Sequence, residues 1–137
     1  MKWSKMSTKR RGETSEREVI VELMKRGLDV YVPIADDRGI DGIIRHKGKY
    51  YDIQIKTLRN SFASDFNRLP YPKEFKSNYI LVLAVTYADK KPDLYFISKK
   101  NARKFIIKAP DKKYKGYVNL SKRQDDLDKL RNIKSFF

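Results

Sequence analysis

The chain has 137 residues, with 32 Lys and Arg against 17 Asp and Glu, and its formal charge of +15 attracts phosphate backbones and steers a polyanionic partner toward it. Having no Cys excludes disulfide scaffolds and cysteine-ligated zinc, and having one His, His46 in a predicted turn, excludes His-rich metal sites and Ser-His-Asp catalysis, which needs a positioned imidazole. The length allows one domain, residues 1–137, and a hydrophobic fraction of 40% supplies a compact core.

Residues 1–11 read as a basic, flexible N-terminal arm carrying Lys2, Lys5, Lys9, Arg10 and Arg11. The start, Met1-Lys2-Trp3-Ser4-Lys5, lacks the apolar run of a signal peptide. No later stretch approaches a transmembrane span, so the expected setting is cytoplasmic, with no membrane partner. Gly12 to Glu18 opens a helix. Ser15 with Glu18 predicts a capping box at its start, and Gly27 after Lys25-Arg26 predicts its end. On a helical wheel with Glu16 at zero, Leu23 lies about 20° to one side and Ile20 about 40° to the other; Val19 and Met24 flank them. Glu16 therefore falls at the centre of the apolar stripe, and Glu18, Glu22, Lys25 and Arg26 on the polar arc. A carboxylate on a buried face is costly unless it is paired or binds a cation. Taken alone, Glu16 also reads as a first-turn acid that simply reaches water.

Leu28 to Ile34 predicts the first strand, with Pro33 near its end. Residues 40–56 then read as two strands joined at His46-Lys47-Gly48-Lys49, with Ile40, Ile43 and Ile44 on the first and Tyr51, Ile53 and Ile55 on the second. With Lys47-Gly48 as a two-residue turn, residues pair when their numbers sum to 95, so Asp41 faces Gln54 with Cβ atoms about 5 Å apart. Gln54 and Lys56 share one strand face and Ile53 and Ile55 the other. One face of the hairpin thus gathers an acid, an amide oxygen and an ammonium, which are parts of a hydrolytic metal site. On its own, Gln54 also reads as an ordinary polar residue of a half-exposed strand. His46 reads as a solvated turn residue.

Residues 57–78 show little periodicity and predict a long connection, a feature that is usually functional or partly ordered. It carries Arg59, Arg68, Lys73 and Lys76 among Phe62, Phe66, Tyr71 and Phe75. Such an interleaving suits phosphate contacts and stacking on unpaired bases, although such aromatics more often serve the loop's own packing. Tyr79 to Tyr87 is an almost continuous apolar run and predicts a central strand covered on both faces. Leu94 to Ile97 is its expected partner. Ser98 predicts the cap of a short helix through about Ile107. From Ser121 a polar helix is expected, with Leu127, Leu130 and Ile133 on one side and Phe136 and Phe137 packing back onto the domain or a second subunit. The predicted order, α-β-β-β-β-β-α, suits a mixed sheet of about five strands flanked by helices.

Gly12, Glu16, Asp41 and Gln54-Ile55-Lys56 together resemble the motifs of the PD-(D/E)XK nuclease superfamily, in particular the archaeal Holliday-junction resolvases. In those proteins a Gly is followed four residues later by a Glu at the first helix, then by an Asp on one strand and Glu-x-Lys on the next. The resemblance spans roughly residues 12–57. Two departures stand out: Ile40 replaces the proline before the Asp, and Gln54 replaces the usual acid. A Gln-x-Lys version is similar to that of homing endonucleases of group I introns. The fold implied is restriction-endonuclease-like α/β.

The resemblance implies a metal-dependent DNA endonuclease hydrolysing phosphodiester bonds, with structure-specific cutting of the Holliday-junction kind. Its implied catalytic residues are Glu16, Asp41, Gln54 and Lys56. Asp41, Glu16, the Gln54 side-chain oxygen and the Ile55 carbonyl would hold Mg²⁺ (or Mn²⁺), and Lys56 would orient the attacking water. Thr57, the Gly12 backbone and the helix start at Ser15 would meet phosphates, with Arg10, Arg11, Arg59 and Arg68. Asp52, Asp36 and Asp37 are further sources of negative charge. A symmetric cut needs two sites, which implies a homodimer, although no residue specifies one. Two other readings stay open: a non-catalytic nucleic-acid-binding protein that keeps the nuclease fold, favoured by Gln54, and an RNA-processing protein, since charge does not tell DNA from RNA.

Overall fold

In a computed structural model, the described residues are 7–35, 39–59, 68–71, 77–102, 106–108, 116–119, 131 and 133. Helix α1 (Thr8–Lys25) is followed by strands β1 (Asp29–Tyr31), β2 (Gly42–His46), β3 (Lys49–Arg59), β4 (Arg68–Tyr71), β5 (Tyr79–Thr86) and β6 (Asp93–Ser98). A short helix α2 (Lys99–Ala102) and strands β7 (Ile106–Lys108) and β8 (Gly116–Asn119) complete the order. The main sheet is five-stranded, β1-β2-β3-β5-β6, and mixed: β3 and β5 are parallel, and the other neighbours are antiparallel. This is the α/β architecture expected from the sequence. A second sheet, β4-β8-β7, was not part of that expectation. Among the described residues no helix is long and apolar enough to cross a membrane.

The start of α1 differs from the predicted one. Ser7, not Ser15, is the N-cap, and its hydroxyl accepts the N–H of Arg10 at 3.2 Å. A single Gly12 costs only about 1 kcal/mol inside a helix, too little to stop it, so the helix runs back through it to Ser7. Thr8–Arg11, read as part of a flexible arm, are therefore helical, and Gly12 and Ser15 lie inside the helix rather than at a phosphate-binding end. Ser15 is buried. The other end is as predicted. Gly27 takes φ +86°, its N–H bonds to the Met24 carbonyl, and Leu28 N–H reaches back to Leu23, the two bonds of a Schellman stop.

The buried line of α1 runs through Ser15, Val19, Glu22 and Leu23. It is rotated from the predicted stripe, so Met24 is exposed and Glu16 lies at the stripe's margin, half-buried. Glu22, expected on the polar arc, is 7% exposed and is paired with Arg26 at 3.0 Å. That i,i+4 partner compensates a carboxylate which burial alone would disfavour. Val19 and Leu23 pack on Ile44, Ile53, Ile55, Ile80, Val82, Ala84, Leu94 and Phe96, and Ile133 joins them from the C-terminal segment. Arg131 meets Asp93 at 2.6 Å beside it. Leu81, Leu83, Val85, Tyr95 and Ile97 are buried on the other sheet face, so β5 and β6 are covered on both sides. This matches the continuous apolar run that begins at Tyr79.

The helix predicted through Ile107 is shorter: α2 ends at Ala102, and Ile106–Lys108 is a strand, as adjacent β-branched residues favour. The long connection predicted over 57–78 is shorter too, because β3 continues to Arg59 and β4 occupies Arg68–Tyr71. The polar helix expected from Ser121 falls outside the described residues except at Arg131 and Ile133. Asp36, Asp37, Phe62, Phe66, Lys73, Phe75, Lys76, Phe136 and Phe137 also fall outside them.

Candidate active site

The hairpin of β2 and β3 sets the site. His46 pairs with Lys49 across Lys47 (φ 50°) and Gly48 (φ +76°), the two positive-φ residues of a type I′ turn. The register that follows pairs Gly42 with Ile53, so every pair sums to 95 as the turn predicts. β2 ends at Gly42, but the contact goes one residue further. Asp41 N–H donates to the Ile53 carbonyl at 2.9 Å. Its carboxylate Oδ2 then accepts the Ile55 N–H at 2.7 Å. A side-chain oxygen has taken the place of the next ladder carbonyl, in a charge-assisted bond that is stronger than a neutral one. Within a strand, the N–H and C=O of one residue point to the same border. The Ile55 carbonyl therefore faces the same open border as the Asp41 carboxylate.

Gln54 lies between Ile53 and Ile55, the two residues whose main chain bonds Asp41, which stands one residue beyond the last paired position. Its side chain projects away from the α1 face, because Ile53 and Ile55 on either side lie in the core. Its amide Oε1 accepts a hydrogen bond from the Tyr79 hydroxyl at 2.5 Å. Tyr79 opens β5 and lies opposite Asp52 in the parallel pairing. Burial pushes the Tyr79 phenol well above its ordinary range, and the negative charges of Asp41 and Asp52 add to that shift. The hydroxyl thus keeps its proton and remains a donor. Sequence reading treated Tyr79 only as the first residue of a strand. The signal available was one tyrosine opening an aliphatic run, and its contact with Gln54 spans 25 positions.

Lys56 is two residues beyond Gln54 on the same strand face and is half-buried. Thr57 and Arg59 continue β3, both half-buried. Glu16 comes from the α1 layer. Ile20, one turn further along, approaches Gly42 so closely that a Cβ built there would lie 3.3 Å from Ile20 Cδ1. The line of α1 carrying Glu16 therefore passes beside the start of β2. Arg10 is exposed in the first turn of α1, and Arg11 and Gly12 follow it in the helix. Arg68 begins β4 in the second sheet. The structure thus gathers Asp41, Gln54, Ile55 and Tyr79 at one corner, with Asp52 and Lys56 on the same strand. Gly12 and Ser15 stand apart from it as helix interior.

The donors at this corner are a carboxylate, an amide oxygen and a main-chain carbonyl. All are hard oxygens of the type that holds Mg²⁺ or Mn²⁺. A carboxylate has about four acceptor positions, of which the Ile55 N–H takes one. The charge is low, however. Among the described residues no three His, Cys, Asp or Glu side chains converge as a metal site, so Glu16, Asp41 and Asp52 do not form one together. The residues fit a hard divalent ion, held with little negative charge.

A family model described as PD-(D/E)XK endonuclease matches residues 6–136. Among solved structures, the chain is similar to a bacterial homing endonuclease, I-Ssp6803I, at 18% identity and a TM-score of 0.49, covering 68% of this chain and 70% of that one. No curated protein gives a significant match.

Proposed function

This chain belongs to the PD-(D/E)XK endonuclease family, and from that premise we propose that it is a metal-dependent endonuclease hydrolysing DNA phosphodiester bonds at the β2–β3 corner. That the protein is a nuclease follows from the family; the metal, the DNA substrate and the residue roles are our reading. The observation that supports it most is the 2.7 Å bond from Ile55 N–H to Asp41 Oδ2, which ties a carboxylate to the strand that carries Gln54, the Ile55 carbonyl and Lys56. In this reading Asp41, Gln54 and Ile55 would hold a Mg²⁺ or Mn²⁺ ion, with Glu16 as an outer carboxylate. Such an ion, when bound, acidifies water and offsets charge on the phosphate. Lys56 orients the attacking water and neutralises charge developing on the phosphate oxygens. Thr57 and Arg59, further along β3, meet the neighbouring phosphates, and the charge of +15 supports a polyanionic substrate.

One observation favours a second reading, a binding module without cleavage: no cluster of three acidic ligands exists among the described residues. Supercoiled plasmid, single-stranded DNA and a four-way junction, each incubated with Mg²⁺, Mn²⁺ or EDTA, separate the two. Metal-dependent cutting that EDTA abolishes supports the nuclease. Tight binding without cutting under every condition supports the module. Preference for the junction over linear duplex would identify structure-specific cutting. Binding in either case should be phosphate-driven, with log affinity falling steeply and linearly against log salt. A flat salt dependence contradicts a nucleic-acid partner.

A further inference from the structure

An amide in a metal site has a problem that a carboxylate lacks. The two oxygens of a carboxylate are equivalent, whereas an amide presents an oxygen at one end and an NH₂ donor at the other. Turned the wrong way, Gln54 would offer a cation two N–H dipoles instead of a lone pair. Something must therefore fix its orientation. The Tyr79 hydroxyl donates to Gln54 Oε1 at 2.5 Å. The nitrogen end lies near Gly39, two residues before Asp41, where a built Cβ would lie 3.8 Å from Nε2. Gly39 has φ +68°, a conformation that glycine adopts without strain. Tyr79 is itself fixed, because β5 pairs with β3 in unbroken register from Asp52↔Tyr79 onward and Asp52 N–H bonds the Asn78 carbonyl at 3.0 Å. An amide oxygen has two lone pairs, so accepting the Tyr79 proton leaves one for a cation.

We propose that Tyr79 is a positioning residue for this site: its hydroxyl holds the Gln54 amide with the oxygen, rather than the nitrogen, turned to the cation position beside Asp41. This rests on the reading of the corner as a metal site. It explains how an uncharged residue serves where an acid is usual, and it makes Tyr79 necessary only while position 54 is an amide.

Mn²⁺ binding to the free protein, followed by titration calorimetry, tests this in four proteins: the parent, Tyr79→Phe, Gln54→Glu and the double variant. Tyr79→Phe keeps the ring, and circular dichroism checks its fold. Losing one orienting hydrogen bond should weaken Mn²⁺ binding about fivefold in the parent background. In the Gln54→Glu background, where both oxygens are equivalent, the same change should cost less than about twofold. Equal weakening in both backgrounds, or none in the parent, overturns the proposal. A readout that needs no metal is the Gln54 side-chain amide in ¹⁵N NMR spectra. It should be a single ordered pair of resonances in the parent and broadened or shifted toward free-amide values in Tyr79→Phe; an unchanged pair overturns the tether. A parent that cuts DNA while the two calorimetric losses are equal rejects the role of Tyr79 alone. A parent that binds no Mn²⁺, with or without DNA, rejects the metal reading and this proposal with it.

Discussion

Strand β3 has two borders, and they are built differently. Toward β5 it pairs without interruption through eight positions, from Asp52↔Tyr79 to Arg59↔Thr86. Toward β2 the pairing stops after Gly42↔Ile53, and the next N–H, that of Ile55, is met by the side chain of Asp41. The first border is made of main-chain pairing between β3 and the apolar β5, and its task is to hold the sheet. The second exchanges a main-chain acceptor for a charged one and leaves a carbonyl beside it. The candidate site lies where a ladder ends early and a side chain takes over one of its bonds, beside an unbroken border.

The comparison breaks most visibly on the β5 side. Ile80 is 2% exposed and belongs to the core between α1 and the sheet. Ile80→Ala should cost about 4 kcal/mol of stability, from lost burial plus the cavity left behind. Urea unfolding measures it, and a loss below about 1 kcal/mol would show that this border does not hold the fold. On the β2 side the effect should fall on chemistry instead. Asp41→Asn keeps an oxygen for the Ile55 N–H but removes the charge, so stability should change little while cleavage falls roughly a hundredfold. DNA binding should persist, since a negative charge beside the phosphate has been removed. Full activity in that variant would mean that Asp41 serves only as a ladder substitute. A smaller effect, about tenfold, is expected for Gln54→Ala, because a neutral ligand contributes less attraction than a carboxylate. Metal titrations of cleavage should show the loss easing as Mg²⁺ rises. If Gln54→Ala matches the parent at every concentration, Gln54 is not a ligand.

How much of this was legible in the sequence depended on how local the signal was. The hairpin register follows from two residues, Lys47 and Gly48, whose turn geometry fixes everything paired beyond it. The Gly27 stop is equally local. The start of α1 was misplaced at Ser15: the Ser15/Glu18 pattern suits a capping box, but the helix begins at Ser7 and Ser15 lies inside it, on the buried line. The rotation of that line buried Glu22 with Arg26 and exposed Met24, which a wheel centred on Glu16 does not anticipate. Strands β4 and β8 pair across some fifty positions and carry Pro, Gly and Asn, so neither alternation nor propensity marks them. Tyr79 was missed for the same reason: its hydrogen bond to Gln54 reaches across from a different strand.

The most direct test of the central claim is the position of a bound ion. Crystals soaked in Mn²⁺, examined by anomalous scattering, should show a peak within coordination distance of the Asp41 carboxylate, Gln54 Oε1 and the Ile55 carbonyl. Manganese bound only elsewhere, with this corner empty in crystals that contain DNA as well as in those that do not, would contradict the account.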